Sequence, residues 1–113
     1  MTHVYFSPAK INLSLLVFPL NNNGYHDIFS VFQKLSLSDQ ITFNYSHSPL
    51  ASLTITGEGI DFPTDSSNIL FKVFNLFKNN IEADINIHIK KSIPLGSGMG
   101  GSSSNAATFI RFL

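Results

Sequence analysis

A run of glycine and serine residues near the carboxyl end of the chain has the composition of a phosphate-binding loop. Its sequence is Pro94-Leu95-Gly96-Ser97-Gly98-Met99-Gly100-Gly101-Ser102-Ser103-Ser104-Asn105. Glycines permit positive φ angles and close backbone approach, so that successive N–H groups can converge on an anion. A helix that follows such a loop adds unsatisfied N–H groups and the positive end of its dipole. The serine hydroxyls offer further donors, or a ligand for magnesium carried by a nucleotide.

A flexible linker, a dinucleotide-binding turn and a Walker loop use similar residues. The segment is predicted to join an alternating strand directly to an alanine-rich amphipathic helix. Flexible linkers do not usually occur in that context, which disfavours the linker interpretation. Gly96, Gly98 and Gly101 satisfy the G-x-G-x-x-G spacing of dinucleotide-binding proteins, but this match alone is weak. The acidic residue that would test it, about 20 residues further on, lies beyond the chain, so this alternative stays open. No Gly-Lys-Ser/Thr follows the glycines, which excludes a Walker loop.

Elements on both sides would position this segment. Ile85, Ile87 and Ile89 alternate with polar residues, which predicts a strand with one buried face that leads into the loop. Residues 102–113 have helical periodicity. The buried face of this helix is predicted to comprise Ala106, Ala107, Phe109, Ile110 and Leu113. Because no helix-ending signal precedes the last residue, we expect the front part of a longer protein or, alternatively, a helix that completes a compact domain.

The first half of the chain has mainly strand patterns. In residues 4–18, Lys10 and Asn12 fall on the same face because the pattern alternates. Turn residues follow at 21–24, and strands are predicted at 28–37 and 41–45 around a turn at Ser38 and Asp39. A short strand is predicted at 52–56.

An irregular connection at 57–65 then leads to a predicted helix. Ser66, Ser67 or Asn68 could cap this helix, which is expected to run to about residue 78. Its apolar stripe consists of Ile69, Leu70, Val73, Phe74, Leu76 and Phe77.

The composition restricts the class of protein. With 113 residues, 43% of them hydrophobic, the chain can form one modest core. Seven Lys plus Arg balance seven Asp plus Glu, so no broad positive field favours nucleic acid or an anionic membrane. The chain has no cysteine, which excludes disulfides and fits a reducing compartment. No targeting pattern or membrane-spanning run is evident, so we expect a soluble, cytoplasmic protein.

Four motifs in a fixed order resemble a known family. They are Ser7-Pro8-Ala9-Lys10-Ile11-Asn12-Leu13, then Gly24-Tyr25-His26 with Phe32-Gln33 after it, Ser67-Asn68-Ile69-Leu70, and the segment from Pro94 to Ala107. Together they resemble the GHMP superfamily of small-molecule kinases over essentially the whole chain, and within it the kinases of a cytidine-linked methylerythritol. Met99 replaces a usual leucine, and Ser97 and Ser102 stand where glycines are common. Neither departure should abolish the loop.

The resemblance implies an α+β fold like the GHMP kinase amino-terminal domain, related to the second domain of ribosomal protein S5, with helices on a mainly antiparallel sheet. Residues 1–113 would form an incomplete ATP-binding domain, and the carboxyl-terminal domain would lie outside the chain. The implied reaction transfers a phosphoryl group from ATP, with Mg2+, to the 2-hydroxyl of a small molecule in non-mevalonate isoprenoid synthesis. A homodimer of the complete enzyme is left open. The alternatives are a mevalonate, homoserine or galactose kinase, and a dinucleotide-binding or non-catalytic fragment.

The resemblance also assigns site residues. Lys10 is implied to be catalytic, because a cation beside the acceptor hydroxyl stabilises developing negative charge. Asn12, Tyr25 and His26 are implied to bind substrate, with the Tyr25 ring stacked on cytosine and His26 at its polar edge. Without the resemblance, Lys10 would be interpreted as a solvated strand lysine and Tyr25 as a hairpin aromatic.

The implied ATP-binding residues are Pro94, Leu95, Gly96, Ser97, Gly98, Met99, Gly100, Gly101, Ser102, Ser103, Ser104, Asn105 and Asn68. No direct protein metal site is expected, since Mg2+ would arrive with ATP and meet Ser103 or Ser104. Asn68 has two open interpretations, a helix cap and an adenine contact. Lys90 and Lys91 could flank phosphates or face water, and we expect water for one of them.

The expected general base is an aspartate after the phosphate-loop helix, beyond the end of the chain. The acids within the chain match no such motif and are predicted to be turn and surface residues; they are Asp27, Asp39, Asp61, Asp65 and Asp84. His3, His47 and His88 lack the spacing of metal ligands and are predicted to be structural or solvent-facing.

Overall fold

A computed structural model describes residues 2–20, 26–97 and 99–113, without the side chains of residues 11–33. Within these residues, one sheet carries two helices on its apolar face. The elements are β1 (Thr2–Leu20), β2 (His26–His47), β3 (Ser52–Gly59), α1 (Ile69–Phe77) with a 3-10 turn (Lys78–Asn80), β4 (Ala83–Lys91) and α2 (Gly101–Phe112). The strand order is β1-β2-β4-β3, in which β3 is parallel to β4 and the other pairs are antiparallel. The predicted α+β fold with a mainly antiparallel sheet is confirmed.

The turn predicted at Ser38 and Asp39 is wrong. These residues pair with Pro8 and Ser7 of β1, and β2 continues through them as a single strand. A polar pair that normally favours a turn is accommodated here because the carboxylate of Asp39 finds buried donors on the end of β4 and the residues after it. The prediction of Asp39 as a surface residue is therefore also wrong, since its side chain is fully buried.

The pairing of β1 with β2 is irregular beside this point. Pro8 pairs with Ser38 but Lys10 pairs with Lys34, so residues 35–37 of β2 face Ala9 alone. Such bulges re-aim the backbone and occur often next to functional sites. Here the bulge places Lys10 at a break in the ladder.

The core lies between the sheet and the helices. The alternation predicted for β4 is confirmed, because its three isoleucines are buried, whereas Asn86 and Lys90 are exposed and His88 is half-buried. Phe43 of β2 stacks on Phe112 of α2 with ring centroids 4.2 Å apart, and on Phe109 of the same helix at 5.9 Å. The other core residues are Ile41, Ile55, Ile85, Ile87, Ile89, Leu70, Val73, Phe74 and Ala106.

The apolar stripe of α1 is narrower than predicted. Asn68 is the N-cap, and its side-chain oxygen accepts a hydrogen bond from the N–H of Leu70 at 3.0 Å. Leu70, Val73 and Phe74 are buried, but Ile69 and Phe77 at the two ends of the helix are 36% and 37% exposed, and Leu76 is 79% exposed because it lies to the side of the buried face.

The buried face of α2 differs from the prediction at Ala107, Ile110 and Leu113, which are exposed. Asn105 and Thr108 occupy the buried face instead. Thr108 can do so because its hydroxyl donates to the carbonyl of Ser104 at 2.9 Å. Among the residues described, neither helix is long and apolar enough to span a membrane.

Candidate phosphate-binding site

The glycine-rich segment connects the end of β4 to the start of α2 and makes two sharp changes of direction. Gly96 and Gly100 have φ angles of 68° and 69°, in the left-handed region that favours glycine. Gly100 is also the N-cap of α2. A methyl group there would lie 2.7 Å from Cε of Lys10, whereas one at Gly96 would meet no atom within 4 Å. A side chain at position 100 would therefore displace the end of the Lys10 side chain.

Lys10 is joined to this loop through its backbone. Beside the bulge in β2, the N–H of Lys10 donates to the carbonyl of Met99 at 2.9 Å. Its half-buried side chain runs along Gly100 at the start of α2. The residue predicted to be catalytic and the loop predicted to bind phosphate therefore form one local structure.

The first turn of α2 presents backbone N–H groups beside the loop. The first helical bond of this turn runs from the N–H of Ser104 to the carbonyl of Gly100 at 2.9 Å. The N–H groups of residues 101–103 have no acceptor within the helix, and Gly100 has no side chain that could cap them. These N–H groups belong to residues that line a cavity of about 190 Å³ between the loop and the helix. This arrangement suits an anion.

Two further cavities adjoin this loop cavity. The lysine cavity, of about 250 Å³, is lined by Lys10 and Lys34 and shares Gly100 and Ser103 with the loop cavity. The Asn68 cavity, of about 200 Å³, lies on the other side and shares Leu95 and Ser102. It is lined in addition by Phe62, Pro63, Ser67, Ile69, Lys91 and Asn105. The three cavities thus adjoin one another in series, from Asn68 past the loop to the two lysines.

The three serines after Gly101 occupy different positions. The hydroxyl of Ser7 donates to that of Ser104 at 2.9 Å, which turns the Ser104 side chain toward β1. Ser103 is exposed where the loop cavity meets the lysine cavity, and Ser102 where the loop cavity meets the Asn68 cavity. Ser103 is thus the hydroxyl that lies between the loop and Lys10.

A buried polar network, formed by Ser7, Asp39, Lys91 and Asn105, lies beneath the loop. Asp39 accepts from Nζ of Lys91 at 2.6 Å and from the backbone N–H groups of Ser92 and Ile93 at 2.7 and 2.9 Å. The carboxamide of Asn105 satisfies its surroundings when its nitrogen faces Asp39 Oδ2 at 3.1 Å, the carbonyl of Gly101 at 3.2 Å and Ser7 Oγ at 2.8 Å. Asn105 thus directs its side chain into the protein.

Sequence reasoning missed three members of this network. Ser7 was assigned only as part of a motif, Asp39 was placed on the surface, and Lys91 was expected at phosphates or in water. Lys91 is buried against Asp39, and only its neighbour Lys90 is exposed as expected. The cross-strand pairing of Ser7 with Asp39 would have been the signal, and it depends on a register that local patterns do not reveal.

Other predicted site residues are only partly described. Tyr25 and Gly98 lie outside the described residues, and Asn12 and His26 belong to β1 and β2 without a described side chain. Lys34, which the sequence did not single out, pairs with Lys10 across the strands and lines the same cavity.

Of the remaining aspartates, Asp65 and Asp84 serve local structure, and the side chain of Asp27 lies outside the described part of the chain. Hydrogen bonds from the side chain and the backbone N–H of Ser67 hold the pKa of the exposed Asp65 below its usual value. Asp84 accepts a hydrogen bond from Ser52 at 2.6 Å, and Asp61 is exposed. His88 lies between Thr56 and Glu58 on the solvent side of β3 and β4. The described part of the chain holds no group of three His or acidic side chains that could bind a metal ion.

Comparison with known proteins agrees with this geometry. Residues 68–113 match the family model for the GHMP kinases N terminal domain. A solved structure described as the crystal structure of 4-(cytidine 5'-diphospho)-2C-methyl-D-erythritol kinase superposes with a TM-score of 0.80 at 28% identity, covering 98% of this chain and 39% of that one. The chain is therefore similar to the GHMP kinases in the sequence of residues 68–113 and in its fold.

Sequence relatives narrow the resemblance within that family. The 4-diphosphocytidyl-2-C-methyl-D-erythritol kinase of Fusobacterium nucleatum is 40% identical over 111 residues, which is 96% of this chain and 37% of the relative. The chloroplastic kinase of the same name from Mentha piperita is 41% identical over 108 residues, 93% of this chain and 26% of that protein. The chain is thus similar to these kinases almost throughout but spans well under half of their length.

Proposed function

We propose that this chain is the ATP-binding part of a 4-diphosphocytidyl-2-C-methyl-D-erythritol kinase, which transfers the γ-phosphoryl group of ATP to the 2-hydroxyl of its substrate in non-mevalonate isoprenoid synthesis. The observation that carries the proposal is the hydrogen bond of Lys10 to Met99, which joins the predicted catalytic cation to the loop at the start of α2. The names of the relatives support the choice of substrate.

The three adjoining cavities can hold the parts of ATP in order. Phe62, Ile69 and Leu95 give the Asn68 cavity the apolar walls that suit an adenine ring. The N–H groups of residues 101–103 at the loop cavity suit the phosphates. The γ-phosphate would then lie at the junction with the lysine cavity, where Ser103 is shared.

The described residues fit a magnesium ion that arrives with the nucleotide. They provide hydroxyl oxygens near the loop but no cluster of acids that would hold the ion alone. Ser103 is the proposed hydroxyl ligand, because the side chain of Ser104 is turned toward Ser7. A magnesium ion held there would neutralise part of the charge on the phosphates.

Lys10 is proposed to stabilise the charge that develops on the transferred group. Its side chain is held against Gly100, so little reorganisation is needed when the phosphoryl group moves. Asn12, Tyr25 and His26 are proposed to hold the cytidine-containing acceptor, and Asn68 to contact adenine in addition to capping α1. The general base is proposed to come from outside the 113 residues, so that this chain alone has little or no turnover.

The proposed substrate is a small molecule, and neither nucleic acid nor a membrane is proposed as a partner. The proposed location is the cytoplasm. A homodimer of the complete enzyme is compatible with the proposal.

Calorimetric titration of the 113-residue chain with MgATP and with NAD tests the nucleotide class. We expect binding of MgATP and none of NAD, because the loop cavity suits a triphosphate next to a cation. Tight binding of NAD without a response to ATP would favour the dinucleotide alternative.

A substrate panel with the natural protein that contains this chain tests the acceptor. We expect turnover of 4-diphosphocytidyl-2-C-methyl-D-erythritol and not of mevalonate, homoserine or galactose. Faster turnover of any of the last three would reject the proposed substrate.

A further inference from the structure

We propose that Asp39 is a positioning residue for nucleotide binding: its buried carboxylate holds both ends of the phosphate loop in the geometry that receives the phosphates. The inference rests on the proposed function for the identity of the ligand. It assigns a role to an acid that touches no proposed ligand and matches no catalytic motif.

The first end of the loop is held by two consecutive N–H groups. β4 ends at Lys91, so Ser92 and Ile93 have left the strand ladder. Their N–H groups donate to the same oxygen of Asp39, at 2.7 and 2.9 Å. Ile93 is fully buried, so its N–H could not turn to water if this acceptor were lost. Asp39 therefore fixes the direction in which the chain enters the loop.

The second end is held through Asn105. Its carboxamide nitrogen faces the other oxygen of Asp39 at 3.1 Å and the carbonyl of Gly101 at 3.2 Å. Gly101 is the first residue of α2 and lines the loop cavity. Entry and exit of the loop thus converge on one carboxylate, which is itself placed on β2.

The charge of the network also favours a positioning role. Lys91 and Asp39 form an ion pair at 2.6 Å with side chains 1% and 0% exposed. Apolar residues of similar volume often stabilise a fold as well as a buried ion pair does. Burial of this pair is therefore poorly explained by stability alone, whereas an oriented carboxylate can direct several N–H donors at once.

Two variants of the chain test the role. Asp39→Asn keeps the shape but sets an amide nitrogen among donors, and leaves Lys91 buried without its partner. Asp39→Leu with Lys91→Met removes both charges and all acceptors at this point. Asp84→Asn is the matched control, because Asp84 is a strand carboxylate that accepts from Ser52, away from the loop.

Amide hydrogen exchange and MgATP titration are measured for each. For Asp39→Asn and for the double variant, we expect exchange at Ile93 to accelerate and the Kd for MgATP to rise, each by about tenfold or more, the effect of losing a hydrogen bond to a charged group. The control should change neither by more than about twofold, as is usual for exposed sites.

The double variant separates positioning from charge balance. A stable double variant with weak MgATP binding and rapid exchange at Ile93 supports the proposal. A double variant with the affinity and protection of the original chain would overturn it, since only the unpaired charge would then have mattered. Failure of both variants to fold would also overturn it, because Asp39 would then serve the whole fold.

The two proposals fail differently. If the original chain does not bind MgATP, the proposed function fails, and the exchange rates still decide whether Asp39 holds the loop. If MgATP binds equally well to the original chain and to both variants, only the role of Asp39 is rejected.

Discussion

The two ends of α2 are attached to the sheet by opposite kinds of chemistry. At the first turn, Asn105 joins Asp39 and Ser7 through hydrogen bonds in a buried polar network. At the last turn, Phe109 and Phe112 stack on Phe43. The beginning of α2 is therefore held by directional hydrogen bonds to a charged network, and its end by apolar contacts.

This difference suggests that separate parts of α2 provide stability and position the candidate site. Aromatic stacking is tolerant of small shifts, and buried area supplies most of its energy. Hydrogen bonds from buried donors require defined directions and contribute less net stability. The aromatic end can therefore anchor the helix, while the polar end determines where the N–H groups of its first turn point.

Phe109→Ala should have the largest effect on stability. Phe109 is fully buried, and truncation of a buried phenylalanine costs about 3–5 kcal/mol. Urea unfolding of the chain measures the change. Ile110→Ala, at an exposed neighbouring position, is the control and should cost at most about 0.5 kcal/mol. Equal losses for the two variants would contradict the assigned faces of α2.

Lys10→Ala should have the largest effect on the reaction. Loss of one stabilising group at a developing charge lowers kcat by about 100- to 1000-fold. We expect this fall in the natural protein, with little change in the KM for ATP, because the loop N–H groups remain. Lys90→Ala, which removes an exposed lysine of β4, should leave the kinetics unchanged. Turnover that survives in Lys10→Ala would show that the cation is misassigned.

Gly100→Ala and Gly96→Ala form a matched pair with nearly equal φ angles. Both variants incur the left-handed penalty of about 1–2 kcal/mol, but only the methyl group at position 100 meets Lys10. We expect Gly100→Ala to weaken MgATP binding by about tenfold more than Gly96→Ala, the equivalent of about 1.4 kcal/mol. Identical affinities would mean that the contact between the loop and Lys10 does not influence the site.

Asn68→Ala should have the smallest effect and resolves the two interpretations of that residue. Loss of the cap should lower the free energy of unfolding by about 1 kcal/mol. If Asn68 also contacts adenine, ATP affinity should fall while GTP affinity changes less. Asn68→Ser, which keeps a capping oxygen, should restore stability but not the affinity for ATP. If Asn68→Ser recovered both the stability and the ATP affinity, helix capping would be the role of Asn68.

Local patterns predicted the parts of the site that are continuous in sequence. The glycine-rich loop, the strand before it and the cap at Asn68 could be predicted because neighbouring residues determine them. The role of Asp39 could not be predicted, since its donors lie 52–54 positions away in the sequence. Local preferences predict a turn at Ser38-Asp39, and only these distant donors allow Asp39 to be buried in a strand instead. The buried face of α2 was misjudged for a related reason, because Asn105 and Thr108 can be buried only where partners for their polar groups exist.

The central claim is that the start of α2 and the adjoining loop receive the phosphates of ATP. Amide chemical shifts of the chain, followed by NMR during titration with MgATP and then with MgAMP, test it most directly. The account predicts that the N–H signals of residues 100–104 shift most with MgATP and much less with MgAMP, which lacks the β- and γ-phosphates. Signals from these residues that stay in place while ATP binds elsewhere would contradict it.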